Sequence, residues 1–195
     1  MNLKQFEILY QKIEILMQKT RDPVHDWKHV LVVKENAFKI KQLLPTEIQA
    51  VFDDYLLTLI CLWHDVSYTQ HKSGFIQYFL EGARSAKIVA RIFTVAGVEK
   101  KEIDLVCDVI LYHPTFLWRL NRKRGLYHQL LNDADFLENF SSSRIERAIK
   151  SIQQSLFRIV VMKVLKPLGY GFLKQHKTWF FNFKESLLVY SKSKK

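Results

Sequence analysis

Glycine and proline are scarce in this sequence, at six and four of 195 residues. Few positions can therefore break a helix or close a tight turn, which points to long helices. Long apolar runs are also missing. The longest, Tyr55 to Trp63, ends in His64 and Asp65 and falls far short of the ~20 residues a membrane-spanning helix requires, so it reads as a buried core helix and no membrane partner is expected. Glu7, Lys12 and Glu14 interrupt the apolar residues near the N-terminus, which lacks the continuous apolar stretch of a secretory signal. A cytoplasmic protein is expected. The two cysteines, Cys61 and Cys107, form no C-x-x-C pair; this fits a reducing compartment and argues against a sulfur-ligated metal.

Acidic residues are outnumbered, nineteen against thirty Lys and Arg, for a formal net charge of +11. An excess of that size favours an anionic partner such as a nucleotide, a nucleic acid or a membrane surface, although a solvated basic surface is the plainer alternative. With 48% hydrophobic and 25% charged residues, the whole chain, residues 1–195, is expected to form one domain around one core. The sequence is silent on oligomeric state.

Helical periodicity runs through most of the chain. It predicts a first amphipathic helix over 3–18 and a second, capped by Asp26, to about Leu44, where Pro45 stops it. A third opens at Thr46 and continues to Trp63, with His64 and Asp65 at its C-terminal end. A loop is expected from Ser67 to Gly74, then helices over Tyr78–Thr94, Val98–His113 and Leu126 to about Glu138. Ser141 to Ser143 would cap the next helix, and the last is expected over Phe172–Tyr190. No strand-like alternation and no internal repeat stand out.

Some polar residues fall where helical phase calls for apolar ones. His64 follows Leu57 and Ile60, and Asp135 follows Tyr127 and Leu131, each extending an apolar stripe. Burying such groups is costly unless they are paired or bind a metal, and imidazole with carboxylate suits zinc, manganese, iron, nickel or magnesium-like ions. Taken singly, a helical His is more often a hydrogen-bonded core residue and an Asp more often a cap.

Three segments together are more specific. His25-Asp-Trp-Lys-His29-Val resembles the H-D-W-x-H-x-x-V opening of small HD-domain phosphohydrolases. Leu62-Trp-His64-Asp65-Val-Ser-Tyr68 is similar to their metal-binding H-D-[IV] segment, and Asn132-Asp133-Ala-Asp135-Phe-Leu137 to their D-A-D-x-L. The likeness covers roughly residues 20–190, including the helix that holds Glu81-Gly-Ala-Arg-Ser-Ala-Lys87-Ile, and leaves a basic tail over 191–195. It implies an all-α, single-domain HD-type helical bundle with His29, His64, Asp65 and Asp135 around one divalent ion, be it Mn, Mg, Fe, Ni, Co or Zn. It also implies a hydrolase for a nucleotide or related small phosphate ester that works through a metal-activated water. The alternative is a metal-retaining nucleotide- or RNA-binding module without catalysis, nucleic acid being the lesser expectation.

Asp65 would ligate the ion and orient the water. Several family members carry an acid three positions after it, where this chain has Tyr68; Glu81, expected in the first turn of the next helix, is the candidate replacement acid/base, or else only a helix-dipole partner. His25 reads as a substrate-side group or one that supports the ligands from behind, and Asp133 as a cap or supporting acceptor. His113 is a candidate phosphate contact, second-metal ligand or cap. Arg119, Arg122, Lys123 and Arg124 form the densest basic cluster, suited to a polyphosphate unless they are merely solvated, with Phe116 and Trp118 available to stack on a base. His71, His128 and His176 read as structural or exposed.

Overall fold

The computed structural model describes residues 1–20, 22–71, 75–113, 124–139, 144 and 181–192. Arg119, Arg122, Lys123, Phe116, Trp118, His176, the Ser141–Ser143 cap and the end of the basic tail lie outside the described residues. Among the described residues the fold is all-helical. It comprises α1 (Leu3–Met17), α2 (Trp27–Lys41), α3 (Thr46–Gln49), α4 (Asp54–Trp63), α5 (Phe75–Val95), α6 (Lys100–Leu111), α7 (Leu126–Asn139) and α8 (Lys184–Lys192), with a 3-10 turn at Val66–Thr69. No helix among the described residues is long and apolar enough to cross a membrane.

α4 is the axis of the bundle, with every residue from Leu56 to Trp63 buried. It packs against α1, α2, α6 and α7, while α2 also lies along α7 and α5 along α6. Side chains such as Val30 and Val33 of α2, Leu57 and Ile60 of α4, Val106 of α6 and Leu130 of α7 are fully buried in one shared core. Stripes of this kind supply most of a helix's stability, because burying each such side chain contributes ~1.5–3 kcal/mol.

Local chemistry moves several boundaries from their expected places. The helix expected over Thr46–Trp63 is two helices, because Asp53 caps α4 by accepting from Leu56 N at 2.8 Å and donates its own N–H to Tyr127 Oη at 2.7 Å. The loop expected at Ser67 begins instead as the 3-10 turn, where Ser67 N donates to Ser85 Oγ at 3.1 Å. α5 starts at Phe75, three residues before the expected Tyr78. It ends where Gly97 takes φ 72° and Val98 N reaches back to Phe93 O at 3.1 Å, a left-handed cap that favours glycine. α6 is shorter than Val98–His113 at both ends.

Within the helix expected over Phe172–Tyr190, residues 172–180 lie outside the described residues, 181–183 are not helical and α8 begins at Lys184. The cause is Asp133 on α7. Its fully buried carboxylate accepts from Asn182 N, Asn182 Nδ2, Phe183 N and Ser186 Oγ at 2.7–2.9 Å. Burial pushes this carboxyl up to about 6 against the pull of those donors, so it remains ionised at neutral pH. Asp133 thus acts as an acceptor for the residues that lead into α8.

Gly82 sets how closely α5 approaches α6. A Cβ there would lie 2.4 Å from Leu111 O, so only glycine lets the second turn of α5 rest on the last turn of α6. That contact carries Glu81 toward His113.

Candidate metal centre

Four helices deliver side chains to one buried point. His29 comes from the first turn of α2, where Asp26 caps the helix by accepting from His29 N at 2.8 Å. His64 is the C-cap of α4 and Asp65 follows it. Asp135 projects from α7, and His113 lies just past the end of α6. The four expected ligands, His29, His64, Asp65 and Asp135, are together.

Their spacing has a chemical meaning. His29 Nε2 lies 3.2 Å from His64 Nε2, 3.1 Å from Asp65 Oδ2 and 3.5 Å from Asp135 Oδ1, and His64 Nε2 is 3.2 Å from Asp65 Oδ2. Ligand atoms each ~2.1 Å from a shared ion stand ~3.0–3.4 Å apart in octahedral or tetrahedral geometry. His29, His64 and Asp135 form one triad with ligand atoms within 4.8 Å of one another, and His64, Asp65 and His113 form a second, so the residues present could hold a divalent cation.

The outer nitrogens support this. His64 Nδ1 donates to Cys61 O at 2.7 Å and His113 Nδ1 to Ile110 O at 2.6 Å. A carbonyl only accepts, so each Nδ1 holds a proton and each ring turns Nε2 inward, a lone pair when the ring is neutral and a donor to Asp65 when it is protonated. For His64 that nitrogen faces the Asp65 carboxylate, and for His113 it faces Asp65 Oδ1 at 3.4 Å. Lone pairs opposed at such distances repel unless a cation or a proton lies between them. Asp135 Oδ1 is likewise buried and accepts no hydrogen bond, a state with a large desolvation cost that a bound cation would relieve.

Electrostatics follow from the same contacts. Burial opposes the charge on Asp65, yet the charges of His64 and His25 and hydrogen bonds from His113 and His29 hold its carboxyl well below the usual range. Burial also disfavours a charged His113, but Asp65 and then Glu81 outweigh it and raise the ring to about 9. The point where these groups meet thus favours positive charge.

Glu81 departs from its expected surroundings. It lies in the second turn of α5 and is buried, so the helix-dipole role does not apply. Its carboxylate accepts from the hydroxyl of Tyr68, three residues after Asp65. Burial first, and then the charge of Asp65, push the Glu81 carboxyl up, and burial with the same two carboxylates raises the Tyr68 phenol. Tyr68 in turn stacks on His25, with ring centroids 3.9 Å apart and planes at 4°. His25 meets His29 edge-on and pairs through Nδ1 with Asp22 Oδ1 at 3.1 Å, which places it beside the cluster.

Of the basic cluster only Arg124 is described. Its guanidinium lies over the Tyr112 ring at 3.3 Å and pairs with Asp108 Oδ1 at 3.3 Å. Asp108 also meets His128 Nε2 at 2.9 Å, and His128 is buried.

Two residues escaped the sequence reading. Glu138, fully buried, lies 3.1 Å from His29 Nδ1, and Arg144 Nη1 lies 2.8 Å from the same carboxylate oxygen. Glu138 was legible in principle, since it stands one helical turn after Asp135 on the same face. Arg144 was not, because it lies beyond the end of α7 and carries no periodic signal. Arg144 Nη1 is also 2.6 Å from His29 Nδ1. A guanidinium only donates and a carboxylate only accepts, so Arg144 and Glu138 compete for this nitrogen and the winner sets the His29 tautomer.

No protein-family model, no curated protein and no solved structure matches this chain.

Proposed function

We propose that the protein is a metal-dependent phosphohydrolase of the HD type, acting on a nucleotide or a related small phosphate ester. The observation that carries this reading is that His29 Nε2, His64 Nε2 and Asp65 Oδ2 lie 3.1–3.2 Å from one another, with Asp135 Oδ1 3.5 Å from His29 Nε2, buried and accepting no hydrogen bond. His29, His64, Asp65 and Asp135 would hold one divalent cation. When bound, such an ion lowers the pKa of a water and polarises a phosphoryl oxygen.

The protein's own groups do the rest. Asp65 uses Oδ2 toward His29 and His64 and Oδ1 toward His113, so it orients a nucleophile between them. Glu81 is an acid/base whose carboxyl is pushed up by burial and linked to Tyr68, a pair through which a proton can pass. His25, oriented by Asp22 in the manner of a His–carboxylate pair, faces the substrate side and is suited to protonate or bind a departing oxygen.

Turnover of a panel of nucleotides and simple phosphate esters, with and without Mn2+, Co2+, Ni2+, Zn2+ and Mg2+, tests the proposal. The expected result is hydrolysis of at least one phosphate ester that stops on chelation. Absence of hydrolysis with stoichiometric metal bound would favour the second reading, a nucleotide- or RNA-binding module without catalysis, for which the replacement of the family's acid by Tyr68 is the specific support.

A further inference from the structure

The cluster is sealed on most sides. Among the described residues, the side chains of His29 and His64 are 0% exposed, His113 3% and Asp65 4%, whereas Asp135 is 14% exposed, Arg144 11% and His25 19%. Among the described residues of the cluster, those last three are the most exposed and form its rim. Asp135 repels an anion, so the cationic member of the rim decides whether a phosphate can enter.

Arg144 is placed for this. Its Nη1 is 2.8 Å from Glu138 Oε2, 3.6 Å from Asp135 Oδ1 and 3.2 Å from His29 Nε2, and Asp135 and Glu138 hold the guanidinium charged despite its burial. Arg144 sets its charge against the Asp135 and Glu138 carboxylates, so without it an incoming phosphate would face those carboxylates with one positive charge fewer.

We infer that Arg144 is an anion-binding residue of this site, receiving a phosphoryl oxygen of the substrate on the open side of the cluster between Asp135 and His25. The inference rests on the metallohydrolase reading above and adds the group that recognises the substrate's charge. A planar fork of N–H donors suits a phosphoryl group better than a point charge does. Arg144 lies outside the basic cluster around Arg124 to which phosphate binding was first ascribed. The plainer alternative is that Arg144 only neutralises Glu138.

The test uses the full chain, Mn2+ and inorganic phosphate as probes. Calorimetry measures Mn2+ affinity, and the paramagnetic broadening of the phosphate 31P signal in Mn2+-loaded protein measures phosphate affinity. For Arg144→Gln we expect Mn2+ affinity within ~3-fold of wild type and phosphate affinity reduced ~10-fold or more, as when one charge-assisted contact is lost. Arg144→Lys should recover part of the loss. Unchanged phosphate affinity in Arg144→Gln overturns the inference, whatever happens to stability or Mn2+ affinity, and marks Arg144 as a partner of Glu138 alone. Should Arg144→Gln fail to fold, Arg144→Gln with Glu138→Gln removes the buried pair together, and the same phosphate comparison decides. If wild type binds no Mn2+, the metallohydrolase reading falls separately. Phosphate titration of metal-free wild type and Arg144→Gln then judges Arg144: weaker binding by the variant supports the inference, and equal binding or none overturns it.

Discussion

Replacing Asp133 separates structure from chemistry, because it stands two residues from Asp135 yet does a different task. In Asp133→Ala the backbone amides of Asn182 and Phe183 and the Ser186 hydroxyl lose a buried acceptor. Each buried donor left unsatisfied costs ~1–3 kcal/mol, so three together could approach ~9 kcal/mol if nothing moved. A limit exists, however. The segment can lift away and hydrate its donors, giving up the burial of Phe181 and Phe183, together worth ~3–6 kcal/mol. The smaller cost wins, so the expected loss is ~3–5 kcal/mol. At ~2–4 °C per kcal/mol for a chain of this size, a cooperative fold should melt ~6–20 °C lower. If α8 instead detaches alone, amide exchange over 181–192 should accelerate while α2, α4 and α7 stay protected. Asp133→Asn, which keeps one acceptor oxygen, should lose less. Mn2+ affinity should stay within ~3-fold of wild type in both, since the carboxylate faces α8 and not the His29–His64 cluster. Loss of Mn2+ binding with unchanged melting would refute this division of labour between the two aspartates.

Removing the ligand itself should have the reverse signature: Asp65→Ala is expected to abolish metal-dependent turnover and stoichiometric Mn2+ binding with helical circular dichroism retained, and metal retained by that variant would remove Asp65 from the ligand set. Glu81→Gln should cut the rate ~10²-fold or more, as loss of an acid/base does, with metal content intact; wild-type turnover would exclude Glu81 from the mechanism. The same variant carries a pH signature. The raised carboxyl means the folded protein binds this proton more tightly than the unfolded chain, so stability is greatest below the ordinary glutamate value and declines as pH rises through the folded value. Glu81→Gln removes that decline, so its melting temperature relative to wild type should climb between acidic and mildly alkaline pH; a constant difference would contradict the buried-charge argument. Gly82→Ala should destabilise the fold by more than ~1 kcal/mol despite alanine's better helix propensity, because its Cβ meets the Leu111 carbonyl; equal or higher melting would show that α5 and α6 can separate without cost.

The sequence by itself carried the all-helical class, since periodic apolar stripes and scarce glycine and proline are local properties of a chain. It also carried the candidate ligands, because His64 and Asp135 each break an apolar stripe at a helical interval, a defect visible without coordinates. Caps that act within a few residues were legible too, as with Asp26 at α2. What lay beyond it were interactions between residues distant in sequence. The break before α4 depends on Tyr127 meeting Asp53, and the start of α8 depends on Asp133 reaching across to Asn182 and Phe183; no periodicity encodes either. Glu81 could be named from sequence, but its partnership with Tyr68 and its burial arise only when α5 rests on α6 at Gly82. Arg144 is the clearest case. Its proximity to His29 spans 115 positions, and only the packing of α2 against α7 puts a guanidinium at the open side of the cluster, where desolvation gives a single charge its leverage.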